Sequence, residues 1–137
     1  MILERIMEIE QESFLSPWNE ESYREMLNDE RYTFFFENID GEIAAFAVSL
    51  DMYDIDEIIK IAVDKKYRRR GLASLLMDKI IENARQRKKS AVWLEVRKSN
   101  IEAISLYNKK KFEIVSIRKK YYQDSGENAL VMRLNLE

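Results

Sequence analysis

Ile61-Ala62-Val63-Asp64-Lys65-Lys66-Tyr67-Arg68-Arg69-Arg70-Gly71-Leu72-Ala73 carries an apolar run into a helical one through a basic loop that holds one glycine. Ile58 to Val63 reads as a buried strand. Leu72, Leu75, Leu76, Ile80 and Ala84 recur at helical spacing and predict a helix running to about Lys88. The first amides of a helix have no partner within it, and the helix dipole adds positive charge there, so the junction is a candidate anion site. Gly71 can take backbone angles closed to other residues, Ala73 is small, and Arg68, Arg69 and Arg70 add charge. The loop is no P-loop, since it lacks Gly-Lys-Ser/Thr, and one glycine does not make a dinucleotide fingerprint. On these residues alone, an anion-binding turn and a basic surface loop before an ordinary helix both remain open.

Outward from this junction the pattern is a strand–helix–strand unit with a hairpin at each end. Residues 2–14 read as an amphipathic helix through Ile2, Ile6, Ile9 and Phe14. Ser16-Pro17-Trp18 predicts a second short helix, with Pro at its first position, through Tyr23, Met26 and Leu27. Tyr32 to Asn38 and Glu42 to Leu50 flank Asp40-Gly41, a hairpin signal. Ala91 to Val96 is a strand. Ser99-Asn100-Ile101-Glu102 has the form of a capping box opening a helix with Ala103, Leu106 and Tyr107. Phe112 to Arg118 and Ala129 to Leu136 are two further strands around Asp124-Ser125-Gly126. The fold class is α/β with a mixed sheet.

The length of 137 residues fits one domain, 1–137, and the apolar share of 46% is enough for a core. Cysteine and histidine are both absent. That excludes disulfides, thiol nucleophiles, imidazole bases and Cys-based zinc sites, so acid–base chemistry falls to Asp, Glu, Tyr, Lys, a terminus or water. No metal is expected. No window has the ~18 apolar residues of a membrane span, and an acidic start (Glu4, Glu8, Glu10) is unlike a signal peptide. A cytoplasmic protein without a membrane role is expected. The net charge of −2 conceals two opposed halves: residues 1–57 hold 16 acidic and 3 basic side chains, residues 58–137 hold 9 and 20. Either two faces are simply solvated, or the second half holds an anion while the first attracts a cation.

Arg-x-x-Gly-x-Ala at Arg68 to Ala73, directly after Ile-Ala-Val-Asp, resembles the signature of the GNAT superfamily of N-acetyltransferases. The resemblance extends over Leu94-Glu95-Val96-Arg97-x-Ser99-Asn100, Ala103-Ile104-x-Leu106-Tyr107 and Arg118-x-x-Tyr121-Tyr122. With Ser16-Pro17-Trp18 it is similar to the RimI branch, alanine N-acetyltransferases acting on a small-subunit ribosomal protein. The resemblance implies a mixed, mostly antiparallel central sheet flanked by helices. Two departures stand out. Helical sequence begins at residue 2, so the first edge strand of the family is expected to be missing. Lys110-Lys111-Phe112 stands where the family has Leu-Gly-Phe, so Lys111 must make a left-handed turn at steric cost.

The resemblance also implies acetyl-CoA as co-substrate. Its orientation would fall to the backbone of Ile61, Ala62 and Val63, and its phosphates to Arg68, Arg69, Arg70, Gly71, Leu72, Ala73 and Ser74. Asn100 matches a cofactor-contacting position; the alternative is that it serves the helix start. Glu95 is the candidate general base. In Trp93-Leu94-Glu95-Val96 the period of two puts it on the face of Trp93 and Arg97, and a half-buried carboxylate needs a reason, either catalysis or an ion pair with Arg97 or a neighbouring strand's lysine. Tyr107 is the candidate general acid, with a core tyrosine as its alternative. Glu102 is accounted for by capping alone.

Deprotonating an α-ammonium of pKa near 8 at pH 7 costs about 1.4 kcal/mol, against about 4.6 kcal/mol for a lysine, which favours an α-amine acceptor. The resemblance implies that Tyr121 and Tyr122, which by themselves read as ordinary sheet residues, line the groove with Trp18 for a protein or peptide N-terminus, expected to be ribosomal. Without cysteine, no thioester-enzyme intermediate can form, so direct attack in a ternary complex is expected. A small polyamine or aminoglycoside acceptor stays open, as does a non-catalytic RNA-associating module, although the basic runs lie at helix ends and no direct nucleic-acid role is expected. A monomer or weak dimer is expected.

Overall fold

The computed structural model describes residues 2–137. Its elements are α1 (Ile2–Ser13), α2 (Glu20–Leu27), β1 (Tyr32–Ile39), β2 (Glu42–Met52), β3 (Ile55–Val63), α3 (Leu72–Gln86), β4 (Ala91–Arg97), α4 (Ile101–Lys109), β5 (Glu113–Tyr122) and β6 (Glu127–Asn135), with a 3₁₀ turn at Lys65–Tyr67. Six strands form one sheet in the order β1-β2-β3-β4-β6-β5. Every pairing is antiparallel except β3 with β4. Among the described residues no strand precedes α1.

Two apolar layers sandwich the sheet. Ile6 and Ile9 of α1 and Tyr23 and Met26 of α2 pack on Phe46, Val48 and Ala62. Leu72, Leu76, Met77, Ile80 and Ala84 of α3 cover the opposite face, where Ala45, Ala47, Ile58, Val92, Leu94 and Met132 point. The strict alternation along β2, which sends Phe46 and Val48 one way and Ala45 and Ala47 the other, is what makes both layers possible.

The β3–β4 pairing covers only Ile55–Ile58 against Ala91–Leu94, although β3 runs on to Val63 and β4 to Arg97. Just past that point the register of β2 on β3 shifts, with Ser49 opposite Ile58 and Val48 opposite Lys60, so Ile59 is an inserted residue. Such a bulge bends its strand. It also reverses the alternation, so Lys60 and Ala62 turn toward α1 and α2. The two parallel strands therefore part in mid-sheet, leaving a slot whose rims are backbone.

Several ends differ from the sequence expectation. Helix α2 starts at Glu20, capped by the Asn19 side chain accepting from the Ser22 N–H at 2.9 Å, and Ser16-Pro17-Trp18 is loop. Helix α4 is capped by Asn100, whose Oδ1 accepts from the Ala103 N–H at 3.2 Å, instead of by a Ser99 capping box. In each case an asparagine one to three residues further on takes the role, as its side chain caps at least as well as serine. Lys111 does take the left-handed conformation, at φ 75°.

Candidate active site

A cavity of about 750 Å³ opens where β3 and β4 separate. Ile58 to Ile61 form one wall and Leu94 to Arg97 the other. Phe14, Ser16 and Trp18 of the α1–α2 loop and Tyr121, Tyr122 and Asp124 of the β5–β6 hairpin close the outer end. Asn100 and Tyr107 close the end nearest α4.

The loop between β3 and α3 lies against that inner end, with Arg69 Nη2 3.7 Å from Glu102 Oε1. Arg69 and Gly71 both have positive φ, 65° and 77°, and Gly71 is the N-cap residue of α3 without a side-chain cap. The first helical hydrogen bond here runs from the Leu75 N–H to the Gly71 carbonyl. Among the described residues no group accepts from the amides of Arg68 through Ser74. A row of free N–H groups with alternating backbone handedness at a helix start is an anion-binding concavity. Open space surrounds Gly71, so its glycine is needed for the backbone angle and not for room. Leu72 turns its side chain into the core and offers only its amide.

On β3, the Asp64 N–H donates to the Ala44 carbonyl of β2. Alternation then commits Ala62 to β2 and turns the amides and carbonyls of Ile61 and Val63 toward the open slot. Arg68 Nε already donates to the Val63 carbonyl at 3.2 Å.

Glu95 and Tyr107 line the same cavity. Arg97 is not the partner of Glu95, for it makes a two-pronged contact with Asp124 at 2.7 and 2.6 Å and holds that carboxyl well below the usual range. The charge beside Glu95 Oε1 is Arg118 Nε at 3.3 Å, and Oε2 is buried with no hydrogen-bond partner. Half-buried Tyr107 packs against Phe112, ring centroids 6.1 Å apart, and desolvation pushes its phenol up to about 12, helped by Tyr122. Its position follows from the helix end. The Phe112 N–H bonds the Tyr107 carbonyl and the Lys111 N–H bonds the Asn108 carbonyl, each at 3.0 Å, a Schellman ending closed by the Tyr107–Phe112 contact.

Trp18 is held by groups the sequence reading passed over. Its backbone N–H donates to Glu10 Oε2 at 2.8 Å; the same oxygen accepts from Lys60 Nζ at 2.6 Å, and the Tyr23 hydroxyl donates to Oε1 at 2.5 Å. The Lys60 ammonium sits 3.7 Å from the Trp18 ring centre and 3.9 Å from that of Phe14. Burial pushes the Lys60 amine down and the Tyr23 phenol up. Glu10 was findable: it shares the helix flank of Ile6, where a carboxylate would otherwise be exposed to apolar neighbours. Glu57, also on the cavity wall, gave no signal within its acidic surroundings.

Residues 3–112 match the acetyltransferase (GNAT) family. The chain belongs to this family. Among GNAT relatives, the [ribosomal protein bS18]-alanine N-acetyltransferase of Escherichia coli (strain K12) is 38% identical over 128 residues, 92% of this chain and 86% of that protein. The crystal structure of the Escherichia coli ribosomal-protein alanine N-acetyltransferase superposes with a TM-score of 0.92 at 36% identity, covering 98% of this chain and 88% of that one. The crystal structure of Ard1 from Thermoplasma volcanium superposes with a TM-score of 0.91 at 29% identity, covering 98% of this chain and 91% of that one.

Proposed function

We propose that this protein moves an acetyl group from acetyl-CoA to the α-amine of a protein N-terminus, an alanine of a small-subunit ribosomal protein like the one named for its relatives. The observation that carries the reading is the slot between β3 and β4, with unpartnered amides at one end and Glu95 and Tyr107 on its walls. When bound, acetyl-CoA supplies an activated thioester. The residues present fit such a ligand: the amides of Arg69 to Ser74 would hold its phosphates, and the slot-facing backbone of Ile61 and Val63 would hold its extended arm. Asn100 uses Oδ1 for its cap and leaves its amide group for a contact.

Glu95 Oε2, buried and unpartnered, is placed to take the proton of the attacking amine. A phenol raised to about 12 stays protonated throughout the neutral range. Full transfer to a sulfur of pKa near 8.5 would cost about 5 kcal/mol, so Tyr107 acts chiefly by donating a hydrogen bond to the leaving sulfur. Trp18, Tyr121 and Tyr122 line the outer end, where the peptide would enter.

The test is to incubate the protein with acetyl-CoA and either an Ala-starting peptide or spermidine. Mass spectrometry should place one acetyl group on the peptide's α-nitrogen. Transfer to spermidine alone, or to lysine side chains alone, would refute the reading.

A further inference from the structure

Glu57 stands where β3 and β4 still pair, directly opposite Trp93. Paired residues on adjacent strands share a face, and period two puts Glu95 on that face as well. Both carboxylates line the cavity. Glu95 has Arg118 beside Oε1 and the Tyr121 phenol close to its carboxylate, and Oε2 has no hydrogen-bond partner among the described residues. The carboxylate of half-buried Glu57 makes no hydrogen bond or ion pair with any described residue. Two carboxylates beside one arginine leave a net negative charge in a partly dry cavity, which is unfavourable unless a cation arrives. An α-ammonium brings one positive charge and three N–H donors.

We propose that Glu57 is a second substrate-binding carboxylate, which together with Glu95 receives the incoming α-ammonium and shares the proton it releases. The inference rests on the acetyl-transfer reading above. In the step, an N–H bond of the ammonium breaks and an O–H bond forms on the carboxylate pair. The freed nitrogen lone pair attacks the thioester carbon and the C–S bond breaks. The nitrogen then sheds its second proton to water, the departing sulfur takes one from water while Tyr107 donates it a hydrogen bond, and the proton held by the carboxylate pair passes to solvent. Other groups facing Glu57 modulate it: Arg118, Tyr121 and Tyr122 from β5, and Arg133 of β6, 5.7 Å from the Trp93 ring centre. Lys60 on the same strand is turned away to Glu10. Burial, then the charge of Glu95, raises the Glu57 carboxyl, and Arg118 opposes this.

Steady-state kinetics of Glu57→Gln and Glu57→Asp on an Ala-starting peptide decide the matter, with acetyl-CoA affinity and melting temperature measured alongside. For Glu57→Gln the expected result is at least about a tenfold loss of kcat/KM for the peptide, with acetyl-CoA affinity unchanged. The acidic limb of its pH profile should also move to lower pH, because one of two mutually repelling carboxylates is gone. Glu57→Asp, which keeps the charge, should recover most of the loss; if Glu57→Gln does not fold, its wild-type-like limb is the supporting result. Wild-type kcat/KM and an unmoved limb in Glu57→Gln would overturn the proposal, as would an Asp variant no better than Gln. If the wild-type protein leaves the peptide unmodified, the acetyl-transfer reading itself fails; an active wild type with an unaffected Glu57→Gln sinks only the role of Glu57.

Discussion

Glu95 and Tyr107 face one cavity from two elements, β4 and α4, and each is set there by a feature of its own strand or helix. For Glu95 that feature is period two, read directly from Trp93-Leu94-Glu95-Val96. Which cation would stand beside it was not readable, because Arg118 comes from a strand two places away in the sheet order. Glu95→Gln keeps the shape and removes the proposed proton acceptor, so turnover should fall more than tenfold, roughly the lower range for acid–base groups. Acetyl-CoA should still bind, as checked by calorimetry. Tyr107→Phe should lower turnover by a similar factor for loss of the donor to sulfur. The pH profile carries a further consequence. With its phenol at about 12, Tyr107 gives no descending limb below about pH 10 in the wild-type rate, whereas an unperturbed tyrosine would begin to lose its proton there.

At the scale of elements, helix and strand centres were legible and their ends were not. The apolar spacing of α3 and the Asp40-Gly41 hairpin came straight from periodicity and turn chemistry. The cap of α2 did not, since Ser16-Pro17 and Asn19 are both plausible starts, and the choice fell to Trp18, whose N–H is held by Glu10. Lys111 was the informative exception, because a basic residue where a glycine is expected announced its own strain. The left-handed conformation costs a non-glycine residue about 1–2 kcal/mol, and a glycine gives back about half of that in unfolded-state entropy. Lys111→Gly should therefore stabilise the fold by about 0.5–1 kcal/mol in urea denaturation without displacing Tyr107. The Glu10–Lys60 pair tests the opposite case. Lys60→Met strips the cation from a buried carboxylate and should cost about 3 kcal/mol. Adding Glu10→Gln to that variant should cost less than Glu10→Gln does alone, because the charge left uncompensated is then gone.

Across the whole molecule, the charge asymmetry of the sequence becomes a division in space. Residues 1–57 build α1, α2, β1, β2 and the start of β3, while residues 58–137 supply the arginine loop before α3, β4, α4 and the outer hairpin. The cavity lies between them. Some of this charge stabilises the fold. Asp51 accepts hydrogen bonds from Lys89 at 2.6 Å and Arg87 at 2.8 Å, tying the end of β2 to the segment after α3, and its carboxyl is held down to about 2, chiefly by the Lys89 hydrogen bond. A carboxylate with a depressed native pKa stabilises the fold fully above its unfolded value near 4. That contribution is lost as pH falls from about 4 through about 2, so Asp51→Asn should flatten the acid-unfolding curve in that window and leave its shape near neutrality unchanged.

The remaining charge is free to steer. A basic peptide approaching the cavity passes the acidic first half, and an anionic nucleotide meets the arginine loop, so both encounters gain from long-range attraction. Salt shortens the reach of that attraction, from about 10 Å at 0.1 M to about 3 Å at 1 M. Raising ionic strength from about 0.05 to about 0.5 M should therefore raise the KM of a lysine- and arginine-rich Ala-starting peptide by about threefold or more. A peptide of the same length without those charges should change little. Equal salt sensitivity for the two peptides would mean that the acidic half is surface charge with no part in capture, and that the acceptor is recognised only at its first residues inside the slot.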